Sequence, residues 1–188
     1  MTHWRWLTVT LMLVGYAGYY LCRSNLSATM PVITEELVAR GMDPGEAKDH
    51  LGWAVSLGIV GYALGKFVAG SLTDRLGGRR NYLIGMAGAV ACTVLIPFSG
   101  SLPTFTWVWF ANRLIQSLGW PGMIKITSRW FAYSTYGTVM GVISLSFLFG
   151  DAAARAFMGQ LIEAGLGWRA VFWVAGESWR SCCWSISC

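Results

Sequence analysis

Residues 70–80 read Gly70-Ser71-Leu72-Thr73-Asp74-Arg75-Leu76-Gly77-Gly78-Arg79-Arg80 and lie between two long apolar runs. No other stretch restricts the fold as much. Its flanks are far longer than strands and match the roughly 20 residues that cross a bilayer core. Gly77-Gly78 lets the chain reverse within a few residues, because glycine reaches positive φ at little steric cost. Arg75, Arg79 and Arg80 crowd this one short loop, and an excess of Lys and Arg marks the cytoplasmic side. The segment is a tight cytoplasmic turn between two membrane helices.

Composition supports a membrane class. Only 12% of the 188 residues are charged and 55% are hydrophobic, with mean hydropathy +0.50. A soluble domain carries about 25% charged residues. The net charge of +5 therefore reflects loop asymmetry. No basic stripe interleaved with exposed aromatics marks a nucleic-acid partner. Cys22, Cys92, Cys182, Cys183 and Cys188 are odd in number and lack histidine-backed metal spacing. The sequence offers no metal site, no cofactor motif and no nucleophile–base pair, so it is not read as an enzyme. The run from Trp6 to Leu21 lacks a small-residue cleavage site and reads as an uncleaved first helix.

Apolar runs place spans at residues 5–29, 51–72, 82–99, 104–126 and 136–162, with an incomplete sixth from 169. Pro31 is expected to close the first helix. Residues 32–50, with five acids, are expected to form an outward polar loop. Arg5, Arg75, Arg79, Arg80 and Arg129 fall on one side, against Arg40 and Lys48 on the other. The N-terminus is therefore expected in the cytoplasm of a multi-pass chain. Glycines recur at 15 and 18, at 58, 61 and 65, at 85 and 88, and at 137 and 141, spacings that allow close helix packing in lipid.

Six charges fall within spans: Arg23, Lys66, Arg113, Lys125, Asp151 and Arg155. Each costs at least ~2.5–3.5 kcal/mol at membrane depth, so each is a functional candidate. Tyr16, Tyr19 and Tyr20 precede Arg23 by seven, four and three residues and share its face. Arginine's planar fork suits phosphate or carboxylate. Lys66 has no acid close in sequence. Two cations on neighbouring helices without local acids point to a small anionic solute. Asp151 and Arg155, spaced i, i+4, can pair on the fifth span.

The turn 70–80 resembles the signature between the second and third helices of the major facilitator superfamily, where it serves conformational change. Asp74, Arg75 and Arg79 are accordingly expected to gate, with Asp74 pairing with an arginine. Gly15-Tyr16-Ala17-Gly18-Tyr19-Tyr20-Leu21-Cys22-Arg23-Ser24-Asn25 with Met30-Pro31 is similar to the first helix of organophosphate:phosphate antiporters. So are Tyr62-Ala63-Leu64-Gly65-Lys66-Phe67 and Gln116-Ser117-Leu118-Gly119-Trp120-Pro121. The resemblance implies that Arg23 binds substrate phosphate while Lys66, Tyr16 and Tyr20 line the same cavity. Phe147 stands where glycerol-3-phosphate members have histidine, and Ser24 where they have a second cation. Arg113 lies in a segment that resembles a fourth-helix signature implicated in proton coupling or in holding helices.

The expected fold is an all-α membrane protein, the N-terminal six-helix bundle of the major facilitator fold over residues 1–176. The apolar run of the sixth helix fails after about eight residues, far short of a span. Residues 177–188 accordingly read as a truncated or out-of-frame tail, with the C-terminal half of the carrier missing. The expected function is exchange of an organophosphate for phosphate across a bacterial inner membrane. Arg113, Asp151 and Arg155 would serve coupling. Two alternatives stand beside it: a proton-coupled carrier of organic anions or drug-like solutes, and a non-transporting membrane sensor or inactive fragment.

Overall fold

The computed structural model describes residues 2–187, with side chains described for residues 6–178. The described residues are almost wholly helical and contain no strand. The first span is two half-helices, α1 (Thr2–Arg23) and α2 (Asn25–Ala39), broken at Ser24. A turn leads to α3 (Pro44–Leu76), then α4 (Gly78–Leu95) with a 3₁₀ turn at Ile96–Phe98. The fourth span is also split, into α5 (Leu102–Gln116) and α6 (Gly119–Trp130), and is followed by α7 (Tyr133–Glu163) and α8 (Trp168–Ser187). Pro44–Leu76, Gly78–Phe98 and Tyr133–Glu163 are each long and apolar enough to cross a membrane.

Pro31 does not end the first span. It sits inside α2, which runs on to Ala39. Its missing N–H frees one carbonyl, a loss that membrane helices tolerate when neighbours supply other partners. The expected loop 32–50 is correspondingly mostly helix. Gly41, at φ +94°, makes the reversal between α2 and α3. Asp43 then caps α3, accepting from the Gly45 and Glu46 amides at 2.8 and 3.3 Å, with Pro44 in the first turn. At 33 residues α3 is about 50 Å long and outreaches a 30 Å hydrocarbon core.

The two breaks are held by amide side chains from other spans. Gln116 Nε2 donates to the Cys22 carbonyl at 3.2 Å, and Asn81 Nδ2 donates to the Leu118 carbonyl at 2.9 Å. Asn112 extends this buried ladder, donating to the Ala89 carbonyl and to Thr93 Oγ1 at 3.1 and 3.0 Å. Irregular backbone at membrane depth survives only when such groups are paired.

Helices α3 and α5 meet along a glycine seam. A Cβ on Gly58 would lie 2.5 Å from Trp109 Nε1, one on Gly61 2.9 Å from Phe110 Cδ2, and one on Gly65 2.6 Å from the Leu114 carbonyl. Packing expected at Gly137 and Gly141 is absent, since a Cβ at either meets nothing within 4 Å. These two face away from the bundle, and α7 instead closes on α1 where Gly150 abuts Ala17. In α8, Val171, Phe172 and Ala175 are fully buried. The α8 backbone stays helical through the composition change after Gly176. Cys182, Cys183 and Cys188 lie outside the residues with described side chains.

Candidate functional site

One aromatic ring organises the charged centre of the bundle. Tyr62, on α3, has the Arg23 guanidinium carbon 4.6 Å, the Lys66 ammonium 4.9 Å and the Arg113 guanidinium carbon 5.2 Å from its ring centroid. Arg23 also lies over Tyr20 at 5.5 Å, and Arg113 over Trp109 at 5.9 Å. Three helices therefore deliver three positive charges to one ring.

Backbone geometry explains how they are placed. Arg23 occupies the last turn of α1, and Arg113 the last turn of α5. Each thus ends a half-helix, where the partial negative charge of unpaired carbonyls favours a cation by about 0.3–1 kcal/mol. Gly58 lets α5 approach closely enough for the Arg113 stem to lie against α3, with a Cβ there only 3.0 Å from Arg113 Cγ. Tyr16 packs edge-on against Tyr20 at 5.7 Å and beside Trp120 at 5.5 Å, while Phe147 covers Tyr20 at 5.5 Å.

Among the described residues, Arg23, Lys66 and Arg113 form no ion pair. Arg113 is only 8% exposed, and its Nη1 has no hydrogen-bond partner. Ring contact and helix end together supply about 1–3 kcal/mol. Insertion of one arginine costs at least ~2.5–3.5 kcal/mol. Of the three, Arg113 is buried, Arg23 half-buried and Lys66 exposed, so the shortfall is greatest at Arg113.

Asp151 has other partners. Ser24 Oγ donates to its Oδ1 at 2.6 Å, and Arg155 Nε donates to its Oδ2 at 2.9 Å. The i, i+4 pair legible in the sequence is formed, and through Ser24 it ties α7 to the break beside Arg23. At the turn, Asp74 accepts from Lys125 Nζ at 2.7 Å, so its partner is a lysine of α6 and not an arginine. That hydrogen bond and the lysine's charge hold the exposed Asp74 carboxyl below its ordinary range. Arg75 and Arg79 are exposed and join no ion pair among the described residues. Gly77, at φ +83°, makes the reversal, and a Cβ on Gly78 would strike the Gly122 carbonyl at 2.7 Å.

At the opposite end, Glu36 binds Arg169 at 2.8 Å, the Trp168 indole and Arg40, joining α2 to α8. Burial raises the Glu36 pKa, but hydrogen bonds from Arg169 and Trp168 and the two arginine charges outweigh it and leave the group below its usual value. A cavity of about 480 Å³ adjoins it, lined in part by Arg40, Leu51, Phe105 and Arg169.

Sequence inspection missed Tyr62 as the shared ring, although its spacing of four from Lys66 was a usable signal. Arg113, assigned to coupling, lies in the same cluster as Arg23 and Lys66. The Glu36–Arg169 contact spans 133 residues and left no local trace.

The family model of the Major Facilitator Superfamily matches residues 12–176. A probable hexose phosphate transport protein of Chlamydia pneumoniae is 30% identical over 174 residues, covering 93% of this chain and 36% of that protein. The glycerol-3-phosphate transporter of Bacillus subtilis (strain 168) is 27% identical over 163 residues, covering 85% of this chain and 35% of that protein. The membrane sensor protein UhpC of Escherichia coli (strain K12) is 26% identical over 174 residues, 93% of this chain and 38% of that one. The chain thus spans a little over a third of the length of these relatives. With its all-α bundle of paired and broken membrane helices, the chain belongs to the Major Facilitator Superfamily.

Proposed function

We propose that the chain forms the N-terminal half of a secondary carrier that exchanges a small organophosphate for phosphate across a bacterial inner membrane, with its N-terminus in the cytoplasm. The observation that carries this reading is the cluster of Arg23, Lys66 and Arg113 around Tyr62 with no acid among them. Arg23 and Lys66 bind the anion, and Tyr16 and Tyr20 line its path. The similarity to proteins named as hexose phosphate and glycerol-3-phosphate transporters supports a phosphate ester as cargo. Carriers of this class bind substrate at the interface of two halves and alternate access by rocking them. A second six-helix half is therefore the required partner.

Exchange follows from the same electrostatics. An empty site would close around like charges in a low-dielectric interior, which costs several kcal/mol. A returning anion removes that cost. Asp74, Arg75 and Arg79 act as the cytoplasmic latch, and Asp151 with Arg155 adjusts the first span through Ser24.

One contact favours a second reading. Asp151 bonds directly to the residue beside Arg23, so a proton on it would be felt at the site, as proton-driven uptake of organic anions requires. Phosphate-loaded proteoliposomes separate the two. Uptake of glucose 6-phosphate that needs internal phosphate and survives collapse of the proton gradient supports exchange. Uptake that needs the gradient and ignores internal phosphate rejects it. Binding without uptake in either condition would favour a sensor, in line with the likeness to UhpC.

A further inference from the structure

Arg113 is the least solvated of the three cations around Tyr62 and the one whose neighbours explain it least. It is 8% exposed, its Nη1 is buried without a partner, and it forms no ion pair among the described residues. Were it a strut between α3 and α5, its buried Nη1 would bond to a carbonyl across the seam, and it does not. Its stem lies against Gly58, and its guanidinium carbon lies over the rings of both Tyr62 and Trp109. All three charge centres lie within 5.2 Å of that ring centroid.

We propose that Arg113 is a third ligand of the anion, and that three cations without a carboxylate select a dianionic phosphate monoester over a monoanion of the same shape. This rests on the anion-carrier reading above and assigns Arg113 to the binding site rather than to coupling. A monoanion leaves most of the positive charge uncompensated in a low-dielectric site. A dianion cancels more of it and offers enough oxygens for two guanidinium forks.

The test uses the chain assembled with its second six-helix half in lipid nanodiscs and two isosteric probes, glucose 6-phosphate and glucose 6-sulfate, at pH 8. The phosphate then carries close to two charges, its second pKa being about 6, and the sulfate carries one. The unaltered chain should bind the phosphate at least about tenfold more tightly, as expected for an added charge-assisted hydrogen bond. R113Q should lose about tenfold for the phosphate and less for the sulfate, so the preference narrows. R113K, which keeps the charge but not the fork, should fall between. Without ligand, R113Q should melt no lower than the unaltered chain, because a buried unpaired cation has been removed. If R113Q keeps the affinity and preference of the unaltered chain, the role of Arg113 is overturned while the carrier reading stands. A lower ligand-free melting temperature for R113Q identifies a structural strut and overturns it equally. An unaltered chain that binds neither ester overturns both.

Discussion

Gly65→Ala tests whether the glycine seam sets the position of the site. A methyl at Gly65 would lie 2.2 Å from Ser117 Oγ and 2.6 Å from the Leu114 carbonyl oxygen. The serine hydroxyl can turn away, but the carbonyl is backbone. Ordinary contact begins near 3.4 Å, so α3 and α5 must part by roughly 0.8 Å. Overpacking of this kind costs about 1–3 kcal/mol. The intrinsic gain of alanine over glycine in a helix is about 0.5–1 kcal/mol. Net destabilisation should be about 0–2.5 kcal/mol. Gly70 supplies the control: it lies on the same helix, and a Cβ there meets nothing within 4 Å. G70A should be stabilised by about 0.5–1 kcal/mol. Thermal unfolding in nanodiscs, followed by tryptophan emission, reads both variants, since Trp109 lies on the seam. Equal stability of G65A and G70A, or the reverse order, would refute the close-packed seam. Because Arg113 moves with α5, G65A should also weaken binding of glucose 6-phosphate while G70A leaves it unchanged.

Acid should loosen the α2–α8 contact. Glu36 has a depressed carboxyl pKa in the folded chain, so its contribution is complete above the ordinary carboxylate value and is lost as pH falls through the lower, folded one. Melting temperature should be flat above about pH 5 and decline below about pH 4, with E36Q making that acid slope shallower at a cost near 1 kcal/mol at pH 7; Asp74 keeps part of the slope, and a slope unchanged in E36Q rejects the assignment. Charge reversal at the latch should be mutual: D74K and K125D each impair uptake and the double variant restores it, whereas three equal rates would leave the contact at 2.7 Å without a role.

The apolar runs and the glycine turn were legible because a bilayer sets both length and polarity, and Gly77-Gly78 carries the reversal in one place. Helix breaks were not. Ser24 and the 117–118 step contain neither Pro nor Gly, and their irregular backbone depends on Gln116 and Asn81, which are 94 and 37 residues from the carbonyls they bind. Pro31 misled in the opposite sense, since a proline that would end a helix in water is accommodated here inside α2. Residues 32–50 looked like a loop because polarity was read as irregularity, while the α2 and α3 helices simply project past the apolar zone. Within the site, Arg23 and Lys66 stood out as charges in apolar runs. Tyr62 did not, because an aromatic in a membrane helix is ordinary until three cations converge on it.

The charged site straddles two helix partnerships. Arg23 rides on α1, which packs chiefly on α7, whereas Tyr62, Lys66 and Arg113 ride on the glycine-sealed pair α3 and α5. Any slide of one partnership along the other changes the spacing between like charges before it changes anything else. Closing that gap is uphill when the site is empty and downhill when a counter-charge lies in it. Under the carrier reading proposed above, cargo of the right valence would be the bolt of a two-jawed vice whose jaws close on charge before they measure shape.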